Sequence, residues 1–215
     1  MHEESGRADG SGAGGSGPAP EIVQVERPKS VPLSGVHRTG DFRCSKSERI
    51  NRFFTHDCQR LLDLNYCRVF ILPNPDDVTE IWGYYTLSPS VLNQKRTTRS
   101  DQKRTPGGYP VPMVLIGYMG KHDGAPKGFG KSIIVDAARR VHWIADLAAW
   151  GIMLDSEGGP ENKKLWHWYQ QEGFKIAKDE TDKPDPNRGV LYAALKQLIP
   201  ELNAQAVQRV PAASG

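Results

Sequence analysis

The sequence VPMVLIGYMGKHDGAPKGFGKSIIVDAARRVHWI, residues 111–144, decides the fold. Its first ten residues form a near-continuous apolar run, which is typical of a strand in the centre of a covered sheet. After a polar, glycine-rich turn, apolar residues recur at helical spacing over residues 129–144, which predicts an amphipathic helix. Residues 148–154 are again apolar and indicate a strand. The stretch therefore predicts a central β-α-β unit and the fold class α/β.

The segments on either side extend this unit into a mixed central sheet with flanking helices. An amphipathic helix and a β-hairpin precede it, and a second helix and a closing β-hairpin follow it. Residues 89–110 are polar and are expected to form a long connection. The predicted helices are 47–64 and 160–172, and the predicted hairpin strands are 67–72, 79–87, 174–177 and 189–196.

The composition is that of a soluble globular protein. The chain has 215 residues, a net charge of +3 and 38% hydrophobic residues. No apolar run approaches the roughly 20 residues that a membrane-spanning helix needs. The three cysteines include no CxxC pair and the histidines show no metal-ligand spacing, so we expect neither a disulfide framework nor a metal site. The expected location is a reducing compartment, the cytoplasm.

The domain organisation follows from the two ends of the chain. Residues 1–20 contain six glycines, three serines and two prolines, which predicts a flexible tail. Residues 203–215 are expected to form a second tail. The intervening residues 21–202 are enough for one domain with a substantial core.

The turn inside the central unit is the motif that points to chemistry. Its residues 127–132, Lys-Gly-Phe-Gly-Lys-Ser, lie between a predicted strand and a predicted helix. Glycines there allow a ligand to approach the backbone, and the first helical turn presents unpaired N–H groups that suit a phosphate. The spacing is not that of a Walker A loop, because Ala125 stands five residues before Gly130. A tight turn that uses two glycines is the alternative.

Two motifs together resemble the GNAT superfamily of acetyltransferases. Ala125-Pro-Lys-Gly128-Phe-Gly130 resembles the family's Q/R-x-x-G-x-G/A phosphate loop. Residues 162–174, NKKLWHWYQQEGF, resemble its later N-x-x-A-x-x-(L/F)-Y-x-x-x-G-F helix. The resemblance spans roughly residues 30–200. The chain departs from the pattern at Ala125, where the family usually has Gln or Arg.

The resemblance implies a site that uses acetyl-CoA as co-substrate. Tyr169 matches the tyrosine that commonly protonates the departing CoA thiolate, and its ordinary pKa of about 10 lies above that of a thiol. A partly buried core tyrosine is the alternative. The general base is left open, because members of the superfamily use a glutamate or an ordered water, or need only an acceptor amine that is already neutral. Glu80 and Asp155 are the candidate carboxylates. The residues that the resemblance implies for acetyl-CoA are Tyr118, Met119, Gly120, Lys127, Gly128, Phe129, Gly130, Lys131, Ser132 and Asn162.

A narrower resemblance, to toxin-type GNAT proteins, lies in the N-terminal half. Residues 42–54, FRCSKSERINRFF, and residues 83–88, GYYTLS, are similar to two short motifs of that subgroup. The subgroup acetylates the α-amino group of aminoacyl-tRNA and is held by a ribbon-helix-helix antitoxin. The resemblance therefore implies tRNA and such an antitoxin as partners, and it leaves a homodimer open.

The net charge of the chain is concentrated in one segment. Residues 95–104, KRTTRSDQKR, hold five basic residues and one acidic residue, so the rest of the chain is slightly acidic. The toxin pattern has a short connection at this point, and residues 93–110 are an insertion relative to it. The segment could contact RNA phosphates, or it could be a solvated loop. Its basic residues are Lys95, Arg96, Arg99, Lys103 and Arg104.

Three functions are compatible with these patterns. The first is an acetyl-CoA-dependent N-acetyltransferase that acts on aminoacyl-tRNA. The second is a GNAT that acetylates a small amine or a protein. The third is a non-catalytic GNAT-fold module that binds nucleic acid or a partner through the basic insertion, which the departure at Ala125 leaves open.

Overall fold

A seven-stranded mixed sheet forms the centre of the structure, a computed structural model that describes residues 24–144, 146–158, 161–178 and 188–202. The strands are β1 (Val31–Pro32), β2 (Arg68–Asn74), β3 (Asp77–Leu92), β4 (Val111–Lys121), β5 (Gly151–Glu157), β6 (Lys175–Ile176) and β7 (Arg188–Ala194). Their order is β1-β2-β3-β4-β5-β7-β6. Among the described strands, β4 and β5 alone pair in parallel, and the other five pairs are antiparallel.

Helices flank both faces of this sheet. They are α1 (Glu48–Arg52), a π-helical turn (Phe53–Asp57), α2 (Cys58–Asp63), α3 (Arg99–Gln102), α4 (Phe129–Trp143), α5 (Lys163–Gln171) and α6 (Leu195–Leu198). Helix α4 connects the parallel strands β4 and β5, so the predicted β-α-β unit is confirmed. The first predicted helix is also confirmed: Ser47 caps α1 by accepting the N–H of Ile50.

The two faces of β4 pack in different core clusters. Val114 and Ile116 pack with α4 in the largest core cluster, whereas Met113 packs in a cluster with Tyr192 on the opposite face. A β-bulge then interrupts the alternation, because Tyr85 pairs with Met119 but Leu87 pairs with Ile116.

Several element boundaries differ from the prediction, three of them as follows. Strand β3 continues to Leu92, because residues 88–92 pair with β4 although their own alternation of polar and apolar residues is weak. Strand β5 begins at Gly151 instead of residue 148. The last strand ends at Ala194, and α6 takes up the residues that follow.

Some of the other expectations concern residues that the structure describes, and some concern residues outside them. The three cysteines are free in the structure. None of the described helices is long and apolar enough to cross a membrane. The predicted tails, residues 1–20 and 203–215, lie outside the described residues, and the domain boundaries therefore stay predictions.

Candidate active-site cleft

Strands β4 and β5 separate halfway along their length. Residues Met113–Ile116 pair with Gly151–Leu154, and no pair joins the two strands beyond that point in the described chain. From there β4 continues beside β3, and β5 continues beside β7. The β-bulge lies at the same level. The backbone of residues 117–121 consequently borders an open cleft, where an extended ligand could pair with it.

The glycine-rich loop enters α4 beside this cleft. Gly128 is the N-cap of α4 and has a φ of +84°, a left-handed conformation that favours glycine. No side chain caps the helix. The backbone N–H groups of Gly128 and Gly130 donate to no residue in the described part of the chain. The first turn of α4 therefore presents free donors and the positive end of the helix dipole to an anion.

A lysine organises this loop from its start. The Nζ atom of Lys121 donates to the carbonyl oxygens of His122 (3.0 Å) and Ala125 (2.7 Å). Ala125 itself is buried, with 6% of its surface exposed. The departure from Gln or Arg thus has a steric reason, because a long side chain has no room there. Lys121 was missed by the sequence reasoning, although it ends the same apolar strand.

The other predicted loop residues serve different purposes. Lys131 forms an ion pair with Glu172, the C-cap residue of α5 (3.2 Å). The Phe129 ring packs edge-to-face against Trp82, so its side chain supports β3. Lys127 is exposed and has no ion pair within the described residues. Lys127 is therefore the cation of this loop that remains available to an anion, and the exposed Ser132 follows in the first turn.

Tyr169 lies on α5, next to the start of α4. The two helices meet where Gly130 leaves room for the Trp168 ring, since a Cβ atom at Gly130 would lie 3.3 Å from that ring. Tyr169 is 8% exposed and packs against Trp168 and Phe174. Burial raises the pKa of its phenol, and the neighbouring Glu157 charge raises it further. The hydroxyl therefore stays protonated at physiological pH, as a proton donor requires.

Asn162 has a structural task. Its side chain accepts the N–H of Leu165 at the start of α5 and donates to the carbonyl oxygen of Glu157. Both ends of the amide are thus engaged in joining α5 to the end of β5. A direct contact of Asn162 with acetyl-CoA stays a prediction.

Glu157 is a residue of the cleft that the sequence reasoning did not identify. It is the last residue of β5, past the point where β5 leaves β4, and its Oε2 accepts the Ser47 hydroxyl (2.8 Å). Burial raises the pKa values of Tyr84 and Tyr169, and the charge of Glu157 raises both further. The predicted strand ended at residue 154. In a longer strand, Glu157 lies on the same face as Asp155, which is one of the two candidate bases from the sequence.

The two carboxylates considered from the sequence lie elsewhere. Glu80 accepts a hydrogen bond from Asn74 at the β2–β3 turn (2.6 Å). Asp155 is exposed on β5, and its Oδ1 accepts the N–H of Gly189 (3.1 Å). Among these three carboxylates, Glu157 is the one whose charge contributes to the raised pKa of Tyr169.

A pocket of about 320 Å³ opens on the other face of β4 at the level of the cleft. The Tyr118 ring stacks on Phe53 at a centroid distance of 3.6 Å, and the Arg49 guanidinium lies 5.3 Å above Tyr118. The remaining lining residues carry charges of both signs. They are Glu48, Arg52 and Asp57.

The basic insertion is folded and does not form a loose loop. Asp101, 1% exposed, accepts hydrogen bonds from Lys175 (2.8 and 2.9 Å) and from the Tyr192 hydroxyl (3.0 Å). Arg96 is half-buried and donates to the carbonyl oxygen of Lys178. The predicted RNA contacts that remain exposed, without an ion pair to any described residue, are Lys95, Arg99, Lys103 and Arg104.

No cluster of three or more His, Cys, Asp or Glu side chains that could hold a metal ion occurs in the part of the chain that the structure describes.

These features, a β-bulge and diverging parallel strands beside a glycine-rich helix start, are those of the GNAT acetyltransferase fold. No protein-family model matches the chain. Solved structures do. A tyrosine-to-phenylalanine mutant of KacT superposes with a TM-score of 0.64 at 22% identity, over 80% of this chain and 98% of that chain. The predicted GNAT fold is confirmed by this likeness.

Structures of AtaT show the same fold. AtaT complexed with acetyl-methionyl-tRNAfMet matches with a TM-score of 0.61 at 24% identity, over 77% of this chain and 92% of that chain. A tyrosine-to-phenylalanine mutant of the AtaT toxin, bound to acetyl-CoA and the C-terminus of the antitoxin AtaR, matches with a TM-score of 0.57 at 19% identity, over 80% and 96% of the two chains.

Proposed function

We propose that the chain is an acetyl-CoA-dependent N-acetyltransferase that acts on the α-amino group of aminoacyl-tRNA. The observation that carries the proposal is the cleft between β4 and β5, which brings a buried tyrosine beside a helix start with free N–H donors. Backbone groups of Tyr118, Met119 and Gly120 border the cleft where an acetyl-pantetheine arm would lie. Gly128, Gly130 and Lys127 would hold the pyrophosphate.

Two side chains would transfer the protons of the reaction. The acceptor nitrogen forms a bond with the acetyl carbon while the bond from that carbon to sulfur breaks. Tyr169 donates its proton to the leaving sulfur, since its raised pKa keeps the phenol neutral. Glu157 accepts the proton that the nitrogen loses. An α-amino group has an ordinary pKa of about 7.7–8.0, so a useful fraction of the acceptor is already neutral near pH 7.5.

The acceptor is inferred from the pocket on the other face of β4. Arg49 and Arg52 suit phosphates, and Glu48 and Asp57 suit an ammonium group, so the lining fits a molecule that carries both. The 3′ end of an aminoacyl-tRNA is such a molecule. The structure of AtaT with acetyl-methionyl-tRNAfMet supports this choice.

The same comparisons support a toxin role. AtaT is a toxin bound by the antitoxin AtaR, and we propose a ribbon-helix-helix antitoxin as partner of this chain. Its place of action would be the cytoplasm, where free cysteines persist.

The test compares the wild-type protein with Tyr169→Phe. We expect both to bind acetyl-CoA with similar affinity in calorimetry, because the hydroxyl serves the leaving group. We expect acetyl transfer to methionyl-tRNA to fall about 100-fold, the lower range for a general acid. Tyr66→Phe, at a tyrosine that is 74% exposed, is the matched control and should keep full activity.

Each part of the proposal can fail separately. Absence of acetyl-CoA binding to the wild-type protein would refute the enzymatic function. Acetylation of a small amine or a peptide without acetylation of aminoacyl-tRNA would refute the acceptor. Growth arrest by the wild-type protein, but not by Tyr169→Phe, would support the toxin role.

A further inference from the structure

The folded basic insertion, residues 93–110, stands at the end of β4 opposite the cleft. We call it the lobe. It joins Leu92, the last residue of β3, to Val111, the first residue of β4. Tyr118, beside the cleft, lies seven residues further along β4. At about 3.3 Å per residue, the base of the lobe is therefore roughly 20 Å from the cleft.

The lobe and helix α1 lie on the same face of the sheet. Met113 faces away from α4 and packs with Tyr192, which the lobe covers. Because the β-bulge adds one residue, Tyr118 is on this same face and packs in the α1 cluster, while Met119 turns toward α4. The lobe and α1 thus stand at the two ends of one surface.

Folding of the lobe buries its acidic side chain and leaves most of its basic side chains exposed. Its one acidic side chain, Asp101, points inward and pairs with Lys175, and Arg96 is used on the carbonyl oxygen of Lys178. The outward surface keeps positive charge alone. At the other end of the same face, Arg49 and Arg52 form no ion pair with any described residue. The four outward cations of the lobe are Lys95, Arg99, Lys103 and Arg104.

We propose that the lobe binds the phosphate backbone of an RNA duplex whose aminoacylated 3′ end lies in the pocket beside Tyr118. The choice of RNA rests on the proposed function, and the contact itself rests on the geometry of the lobe. A separation of roughly 20 Å, taken from the strand rise, is spanned by an A-form RNA stem of several base pairs. The lobe would add affinity for a long stem and would not take part in the chemistry.

The first experiment measures binding of deacylated tRNA without acetyl-CoA, so that turnover plays no part. The lobe variant combines Lys95→Ala, Arg99→Ala, Lys103→Ala and Arg104→Ala. The control variant combines Arg27→Ala, Lys29→Ala, Arg68→Ala and Lys196→Ala, which removes four exposed cations that form no ion pair with any described residue and changes the net charge equally. Thermal unfolding verifies that both variants are folded.

We expect the lobe variant to bind at least tenfold more weakly than the control at about 0.1 M salt. The slope of log affinity against log salt should become shallower by up to about 3, since each phosphate contact contributes about 0.7–0.9. Equal losses in both variants would show a general charge effect and overturn the proposal. An unchanged slope with weaker binding of polyglutamate would make the lobe a surface for an acidic protein, and would also overturn it.

The second experiment varies the length of the stem. RNA hairpins with a single-stranded 3′ end and stems of about three or nine base pairs differ in whether they can reach the lobe. The wild-type protein should prefer the longer stem, and the lobe variant should not. Equal affinities for both stems in the wild-type protein would contradict the geometry.

The two proposals fail in different ways. If lobe-dependent RNA binding is found but no aminoacyl-tRNA is acetylated, the proposed function is wrong and the lobe assignment stands. If acetyl transfer proceeds with the same KM for tRNA in the lobe and control variants, the lobe assignment is wrong and the proposed function stands.

Discussion

The two ends of β4 differ in whether the chain itself satisfies the hydrogen bonds of their polar groups. At the Val111 end, the Asp101 carboxylate is buried and bonded to Lys175, Tyr192 and Thr98. At the Gly120 end, polar groups are left for something else: the Gly128 and Gly130 N–H groups have no acceptor among described residues, and Tyr169 offers a protonated hydroxyl. At the Val111 end, the chain itself supplies the hydrogen-bond partners, whereas at the Gly120 end a ligand would supply them.

The difference follows from what each end needs. A buried polar network stabilises the fold only when every member is satisfied, because an unpaired buried charge is costly. A site for a charged ligand needs donors that are held in place and not yet used. Changes at the Val111 end should therefore affect stability and not turnover, and changes at the Gly120 end should do the reverse.

The largest expected effect is on stability. Asp101→Ala removes the partner of Lys175 and leaves Thr98 and Tyr192 with fewer bonds, so the free energy of unfolding should fall by about 3 kcal/mol in urea titrations. The kcat of acetyl transfer to methionyl-tRNA should be unchanged, because the lobe takes no part in the chemistry. Adding Lys175→Met should restore part of the stability, because the unpaired charge is then removed. A loss of turnover at full stability would contradict the comparison.

The same pair predicts how stability depends on pH. Burial raises the pKa of Asp101, but hydrogen bonds from Lys175, Thr98 and Tyr192 outweigh this, and the net pKa is lowered. A lowered pKa in the folded state gives stability that is present above the unfolded value of about 3.9 and is lost as pH falls through the folded value. Wild-type protein and Asp101→Ala should therefore converge in stability below pH 4.

The second effect is on turnover. Glu157→Gln keeps an oxygen that can accept the Ser47 hydroxyl but removes the proton acceptor. Acetyl transfer should fall about tenfold, less than for a full general base, because part of the α-amino acceptor is already neutral. Acetyl-CoA affinity and the unfolding midpoint should be unchanged. Asp155→Asn, two residues earlier on the same face, is the matched control and should keep its rate. Equal losses in both variants would mean that any negative charge near the end of β5 affects the rate, and that Glu157 has no specific role.

The sequence could predict the Gly120 end better than the Val111 end. The apolar run, the two glycines and the helical spacing are local patterns, and they were sufficient for the β-α-β unit. The lobe is held by Asp101 and Lys175, which are 74 residues apart, so no local pattern announces their contact. Glu157 was missed for a related reason. Its strand is extended by pairing with Arg188 of β7, and the sequence of β5 alone does not show this.

The smallest effect compares two glycines of nearly identical backbone geometry. Gly128 has a φ of +84° at the cleft, Gly108 has a φ of +82° in the lobe, and a Cβ atom at either would meet nothing within 4 Å. Alanine at either position should therefore cost a similar amount of folding free energy, about 1 kcal/mol, which thermal unfolding would measure.

Only Gly128→Ala should also weaken acetyl-CoA binding in calorimetry, because its N–H group lies at the proposed phosphate site. A strained residue at the N-cap of α4 would turn that donor away from the ligand. Gly108→Ala supplies the same strain without the site, so any affinity loss that it shares reflects general destabilisation. Equal losses of affinity in the two variants would refute the assignment of the α4 start to the pyrophosphate. A loss confined to Gly128→Ala would support it.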